Sequence, residues 1–200
     1  MKLPLRLLAP LLFLFAVPLP ANAAPALKAG VFEPAYAAPE FPAGLSGSSV
    51  KGDLKLANFR GKLVLLVFGF THCPEICPTT LATLAQARKA LGADAKNVQV
   101  VYVTVDPERD DLDRIRKYLG AFDASFVGGT GNPLALETLR KKYGVIAKKV
   151  EDKAGGDNYG MSHSTSVFLI DGEGRLRALM PYGHLSADFV HDMRLLLAAK

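Results

Sequence analysis

Apolar runs that predict strands alternate with helical patterns through the middle of the chain. Residues 63–68 form an unbroken apolar run rich in Val and Leu, as expected for a strand buried on both faces. Leucines then recur at helical spacing from Leu81 to Leu91, and Gly92 is a plausible helix stop. A second β-branched run at 98–105 predicts another buried strand. Strand, helix and strand in this order predict a right-handed parallel unit.

The second half of the chain continues the alternation of helices and strands. Its patterns predict helices at 110–119, 133–143 and 185–199, extended pieces at 125–127 and 145–150, and a β-hairpin at 166–179 with an Asp-Gly turn. The element order is βαβ followed by ββα. We therefore predict an α/β protein with a thioredoxin-like fold, in which helices flank a central mixed sheet.

The N-terminal residues 1–23 have the composition of a secretory signal peptide. Lys2 and Arg6 precede a short apolar core, and Ala21-Asn22-Ala23 forms a small-x-small cleavage site. We predict export to the periplasm with cleavage after Ala23. A retained membrane anchor is the alternative, although the apolar run is short and interrupted by prolines. Residues 24–49 are rich in Ala, Pro, Gly and Ser and are predicted to be an irregular linker, which leaves 50–200 as the folded domain.

Length and charge narrow the possible partners. Two hundred residues fit one domain of ordinary size, and an apolar content of 50% excludes a disordered chain. The net charge of +5 falls when Lys2 and Arg6 leave with the leader, and the remaining basic residues form no stripe. We therefore expect no nucleic-acid partner. We expect the protein to be a monomer.

The only two cysteines lie at the turn between the first buried strand and the long helix. Cys73 and Cys77 are each followed by proline. Because proline is tolerated at the first helical position, the helix should begin near Pro78, with Cys77 at its cap. The positive end of the helix dipole favours a thiolate there, the form that attacks disulfides and binds metals. A disulfide closing so short a loop adds little stability, so redox or metal chemistry is the better interpretation.

A histidine is the most promising third member of this site. His163 immediately precedes the strand at 166–170, and in a thioredoxin-like sheet the loop entering that strand lies beside the cysteine turn. It is either a metal ligand or a loop histidine bonded to Ser162 or Ser164. His72 should point away from Cys73. Two thiolates and one imidazole form a soft site that suits Cu(I), whereas structural zinc usually takes four ligands.

Three segments resemble the Sco/SenC family. They are 70–81 (FTHCPEICPTTL), 103–110 (VTVDPERD) and 162–164 (SHS). Members of this family are thioredoxin-fold copper proteins that help to mature the binuclear copper centre of cytochrome c oxidase. The resemblance implies that Cys73, Cys77 and His163 are the copper ligands. It also implies that Asp106 supports the site from nearby, with a turn aspartate before Pro107 as the alternative.

The resemblance implies a copper chaperone, a binding and transfer protein rather than an enzyme. It would carry Cu(I), with Cu(II) left open, to the copper-receiving subunit of cytochrome c oxidase or to another periplasmic copper chaperone. The alternative is a thiol–disulfide reductase, in which Cys73 and Cys77 are a redox pair that keeps the cysteines of a copper-receiving protein reduced. A thiol peroxidase is disfavoured by the spacing of Thr71 from Cys73. A chaperone needs His163, whereas a simple reductase does not.

Overall fold

The computed structural model describes residues 26–151 and 159–199. The strands are β1 (Gly30–Ala37), β2 (Leu45–Gly47), β3 (Leu63–Gly69), β4 (Val98–Thr104), β5 (Val127–Gly131), β6 (Ala147–Glu151), β7 (Tyr159–His163), β8 (Val167–Ile170) and β9 (Arg175–Met180). The α-helices are α1 (Ile76–Ala90), α2 (Leu112–Gly120), α3 (Pro133–Lys142) and α4 (Ser186–Ala198). Short 3₁₀ helices occupy Leu56–Phe59 and Gly92–Asn97.

Seven strands form one mixed sheet in the order β1-β9-β8-β3-β4-β5-β2. The strand β3 lies at its centre, parallel to β4 and antiparallel to β8. Every residue of β3 and β4 is buried, which confirms the two buried strands expected from their unbroken apolar runs. The cysteine pair follows β3 directly, so the candidate site lies at the C-terminal edge of the central strand.

Helices cover both faces of the sheet. Alternate residues of β3 point to opposite faces, so the strand contributes to two separate apolar cores. On one face, α1, α2 and α4 pack against Leu65 and Val67. On the other face, α3 and residues of the N-terminal segment pack against Leu66 and Phe68. This arrangement is the predicted central mixed sheet flanked by helices.

The prediction that 24–49 is an irregular linker is wrong for two stretches. Both edge strands of the seven-stranded sheet come from this segment, since β1 pairs with β9 and β2 pairs with β5. The side chains of β1 are mostly exposed, so no alternating apolar pattern marks it as a strand. Its backbone pairing with β9, together with the Asp192 carboxylate that accepts hydrogen bonds from the N–H groups of Lys28 and Ala29, fixes its position.

The predicted leader, residues 1–23, lies outside the described residues, and so do residues 152–158. Among the helices that the structure describes, none combines the length and the apolar character that crossing a bilayer requires.

A two-stranded antiparallel hairpin stands apart from the main sheet. It consists of β6 and β7, and its register pairs Ala147 with His163 and Glu151 with Tyr159. His163 is therefore the last residue of a strand rather than a loop residue. The hairpin sets the position of this histidine relative to the cysteine turn.

Candidate metal and thiol site

The cysteine turn connects the end of β3 to the start of α1. The helix begins at Ile76, so the predicted start near Pro78 with Cys77 at the cap is wrong by two residues. The four N–H groups of the first helical turn have no acceptor within the helix, so proline is tolerated at the third helical position as well as the first. The first turn is closed by the Thr79 N–H, which donates to the Glu75 carbonyl at 3.1 Å.

The two cysteine sulfurs occupy different environments. Cys77 is 2% exposed, whereas Cys73 is partly exposed, and neither forms a disulfide. The backbone N–H of Cys77 donates to the Cys73 sulfur at 3.3 Å. The Cys73 sulfur therefore lies at the N-terminal end of α1, where the helix dipole favours negative charge.

The imidazole of His163 faces the buried sulfur. Its Nε2 lies 3.7 Å from the Cys77 sulfur, and its Nδ1 lies 2.8 Å from the Ser164 carbonyl oxygen. Since a carbonyl oxygen only accepts, Nδ1 carries the proton and Nε2 presents its lone pair to the sulfur. The edge of the ring packs on Phe70, with ring centroids 5.8 Å apart. The predicted proximity of His163 to the cysteine turn is thus found, together with a bond to Ser164, which was the predicted alternative to metal binding.

Loss of contact with water keeps the buried Cys77 and the partly buried His163 neutral in the absence of metal. It raises the pKa of the Cys77 thiol to about 12, and it lowers the pKa of His163. At neutral pH the pair is therefore a protonated thiol beside a neutral imidazole. A metal ion that takes Cys77 as a thiolate must displace this proton, so its binding is coupled to proton release.

The three side chains do not form a closed metal site. Within residues 26–151 and 159–199, no three His, Cys, Asp or Glu side chains lie close enough together to enclose a metal ion. Cys77 and His163 converge, while the Cys73 sulfur is held by the helix N-terminus. A three-ligand site therefore requires these side chains to come closer together than they are here.

Asp106 lies under the hairpin that carries His163. It is 3% exposed, its Oδ1 accepts a hydrogen bond from the Tyr159 hydroxyl at 2.7 Å, and its Oδ2 accepts one from Arg109 Nε at 2.6 Å. Tyr159 begins β7 and His163 ends it. Asp106 is therefore placed to act on the site through the position of β7 rather than through contact with a sulfur.

Two cations complete what we term the Tyr159 clamp, formed by Asp106, Arg109, Lys149 and Tyr159. The Arg109 guanidinium lies 3.6 Å from the centroid of the Tyr159 ring, and Lys149 Nζ lies 3.8 Å from it. Arg109 Nη1 also donates to the Tyr159 carbonyl at 3.0 Å. These contacts join the loop after β4 to the β6–β7 hairpin.

We expect Tyr159→Phe to loosen the hairpin without removing the ring from the clamp. The substitution deletes the hydrogen bond to Asp106, which should cost about 1 kcal/mol and increase the amide hydrogen-exchange rate of β7 roughly fivefold. Tyr182→Phe, at a tyrosine that is 41% exposed on another loop, is the matched control. Unchanged protection of β7 in Tyr159→Phe would show that the hydroxyl does not hold the hairpin.

The other histidines have partners outside the sulfur site. Arg114 Nη2 donates to His72 Nε2 at 2.9 Å, which occupies that lone pair. His184 lies 3.4 Å from Asp188, and His191 lies 2.9 Å from the Asp192 carboxylate. His163 is thus the histidine of the described chain that the fold brings to Cys77.

A buried carboxylate that the sequence did not single out holds the cysteine turn. Asp110 is fully buried. It accepts hydrogen bonds from the Thr71 N–H at 3.0 Å, the Thr71 hydroxyl at 2.6 Å and the Thr104 hydroxyl at 2.7 Å. These bonds fasten the start of the cysteine turn to the end of β4. In the sequence, Asp110 looks like an ordinary aspartate near a helix start.

Comparison with known proteins identifies one family. A family model described as SCO1/SenC matches residues 50–198. The mitochondrial SCO2 homolog of Mus musculus is 35% identical over 148 residues, which cover 72% of this chain and 56% of that protein. The chain spans little more than half the length of the curated relatives that it matches first.

Solved structures give the same result for the fold. The structure of Bradyrhizobium japonicum ScoI with copper bound is 31% identical with a TM-score of 0.71, covering 80% of this chain and 99% of that chain. Apo Sco1 from Thermus thermophilus is 34% identical with a TM-score of 0.77, covering 88% of this chain and 100% of that chain. These similarities confirm the predicted thioredoxin-like fold.

Proposed function

The chain belongs to the SCO1/SenC family, and on that premise we propose that it is a copper chaperone. It carries Cu(I) on the sulfurs of Cys73 and Cys77 and on Nε2 of His163. The observation that carries this proposal is the orientation of His163: its Nδ1–H is held by the Ser164 carbonyl, and its Nε2 lone pair faces the Cys77 sulfur at 3.7 Å. A hydrogen bond on the remote nitrogen is the usual way in which proteins orient a metal-binding histidine.

The donor set suits Cu(I) better than other metals. Two thiolates and one imidazole are soft ligands, which select Cu(I). Zinc would require a fourth donor for a structural site. Two thiolates with Cu(I) carry one net negative charge, and the N-terminal end of α1 at the Cys73 sulfur favours that charge. The relative from Bradyrhizobium japonicum with copper bound supports the same metal.

Transfer proceeds by exchange of ligands at an open, three-coordinate copper. Cys73 lies on the turn and is partly exposed, whereas Cys77 is buried. A sulfur or nitrogen of the recipient enters from the exposed side, Cys73 leaves first, and Cys77 and His163 release the metal last. The recipient is the copper-receiving subunit of cytochrome c oxidase or another periplasmic copper chaperone. Export to the periplasm, with cleavage after Ala23, would place the protein beside either one.

Thiol–disulfide reduction is the second candidate function, favoured by the free pair of cysteines with one partly exposed member. The Cys73 thiolate would attack a disulfide of the recipient and release one of its sulfurs as a thiolate. Cys77 would then lose its proton, attack the mixed disulfide and release the second. The recipient gains two electrons, and Cys73–Cys77 becomes the disulfide.

Metal content and competition titration separate the two candidates. We expect the reduced protein to hold one Cu(I) tightly against a chromophoric chelator, because its three donors match the metal. Cys73→Ser should lose this binding, because a hydroxyl is a poor ligand for Cu(I). A parent protein that holds no copper tightly but exchanges its disulfide readily with small thiols would overturn the chaperone in favour of the reductase.

A further inference from the structure

A tyrosine hydroxyl is buried beside the cysteine turn without a partner. Tyr102, on β4, is fully buried. Its hydroxyl has no hydrogen-bond partner among the described residues that meets ordinary distance and angle limits. Buried polar groups in native proteins are nearly always paired, because an unpaired one forfeits its bonds to water. An orphaned hydroxyl in this position therefore needs an explanation.

This hydroxyl and the Cys77 sulfur converge on the same backbone position. A Cβ atom placed on Gly69 would lie 2.6 Å from the Tyr102 hydroxyl oxygen and 2.9 Å from the Cys77 sulfur. Both distances are too short for a real Cβ, so any side chain at residue 69 would collide with the two groups. Gly69 ends β3 without a positive φ. Glycine is therefore required here because Tyr102 and Cys77 approach the backbone closely, and not because the backbone adopts a conformation that favours glycine.

We propose that Tyr102 is a positioning residue that donates a hydrogen bond to the Cys77 sulfur when that sulfur is a metal-bound thiolate. This inference rests on the proposed copper site. The hydroxyl and the sulfur adjoin each other over Gly69 without a well-aligned bond between them. A thiolate is a strong acceptor, and hydrogen bonds to charged groups are roughly twice as strong as neutral ones. The Tyr102 hydroxyl is thus already positioned to donate to the Cys77 thiolate when copper is bound.

A second, partly buried tyrosine provides a matched control. Tyr118, on α2, packs against Tyr102 with ring centroids 6.1 Å apart, and its buried hydroxyl also has no hydrogen-bond partner within the part of the chain that the structure describes. The three atoms nearest to the hypothetical Cβ of Gly69 belong to Tyr102 and Cys77 and not to Tyr118. Tyr118→Phe therefore deletes a similar hydroxyl from the same aromatic group, one that is not among the atoms in closest contact with Gly69.

The test compares Tyr102→Phe, Tyr118→Phe and the parent as full chains. For Tyr102→Phe we expect Cu(I) binding to weaken roughly tenfold or more in competition with a chelator, as loss of a charge-assisted hydrogen bond predicts. In the Cu(II)-loaded form, the sulfur-to-copper charge-transfer band should move to longer wavelength, because the hydrogen bond lowers the energy of the sulfur electrons. The melting temperature of the metal-free variant should not fall, since the hydroxyl has no partner in that state. Tyr118→Phe should leave the affinity and the band unchanged.

The outcomes distinguish this inference from the function on which it rests. If the parent protein bound no copper, that result would contradict the proposed function and, with it, the proposal for Tyr102. A parent that binds copper tightly, with a Tyr102→Phe variant of equal affinity and an unshifted band, would overturn the Tyr102 proposal alone. A Tyr102→Phe variant whose affinity and metal-free melting temperature fall together would also overturn it, because the hydroxyl would then have a structural role.

Discussion

Replacing His163 with alanine is expected to abolish tight Cu(I) binding while leaving a Cys73–Cys77 disulfide that can form and be reduced. Loss of a group that merely supports a metal ligand costs about 10–100-fold in affinity, so loss of the ligand itself should cost at least about 100-fold. The two sulfurs alone would hold the metal in a two-coordinate site open to competing thiols. Competition titration against a chelator measures the affinity, and thiol alkylation before and after reduction measures the disulfide.

The histidine at the start of α4 provides the control for this experiment. His184 lies 3.4 Å from Asp188, and among the described residues it forms no hydrogen bond with either cysteine, so His184→Ala should bind Cu(I) like the parent. A His163→Ala variant with the affinity of the parent would contradict the three-ligand site. If His163→Ala instead lost both Cu(I) and the ability to form the disulfide, the histidine would be needed for the conformation of the turn rather than as a ligand.

The strand–turn–helix unit could be predicted because its signals are local. The apolar run of β3 and the leucine spacing of α1 each determine an element without reference to the rest of the chain. The hairpin carrying His163 was not predicted in full, since 159–163 has no apolar alternation. Its strand exists because its backbone pairs with β6, and such pairing between exposed strands leaves little trace in a sequence. The sequence therefore predicts the position of His163 beside the cysteine turn correctly, but it places the residue in a loop, whereas the structure places it at the end of a strand.

Apart from Asp106, to which the family resemblance pointed, the residues that support the site could not be found from sequence because tertiary contacts define their roles. Asp106 and Asp110 stand in one short acidic segment, yet the first binds the Tyr159 hydroxyl under the hairpin and the second binds the cysteine turn. Nothing in their local sequence distinguishes them. Tyr102 is similarly hidden, because within the β-branched run of β4 it resembles any other buried strand residue. The one sequence feature that pointed to this contact is Gly69, because a glycine at the end of a buried strand indicates that other groups approach the backbone closely there.

The second large effect is expected from Asp110→Ala, which should lower the free energy of unfolding by about 2–4 kcal/mol. The substitution removes the acceptor for the Thr71 N–H and for the hydroxyls of Thr71 and Thr104. The hydroxyls can rotate toward other acceptors, but the N–H is fixed and remains partly buried. Urea denaturation of the metal-free protein measures the change, and Cu(I) affinity should fall as well because the cysteine turn loses its attachment to β4.

Two further variants show whether the buried hydrogen bonds cause this loss. Asp110→Asn keeps one oxygen for the Thr71 N–H and the Thr104 hydroxyl, while its NH₂ can donate to the Thr71 hydroxyl oxygen, so it should cost less than the alanine variant. Asp113→Ala removes a carboxylate that is 72% exposed and paired with Arg116, and should cost under about 0.5 kcal/mol. If Asp110→Ala were no more destabilising than Asp113→Ala, the carboxylate would not hold the turn. The position of Cys73 would then depend on the helix N-terminus alone.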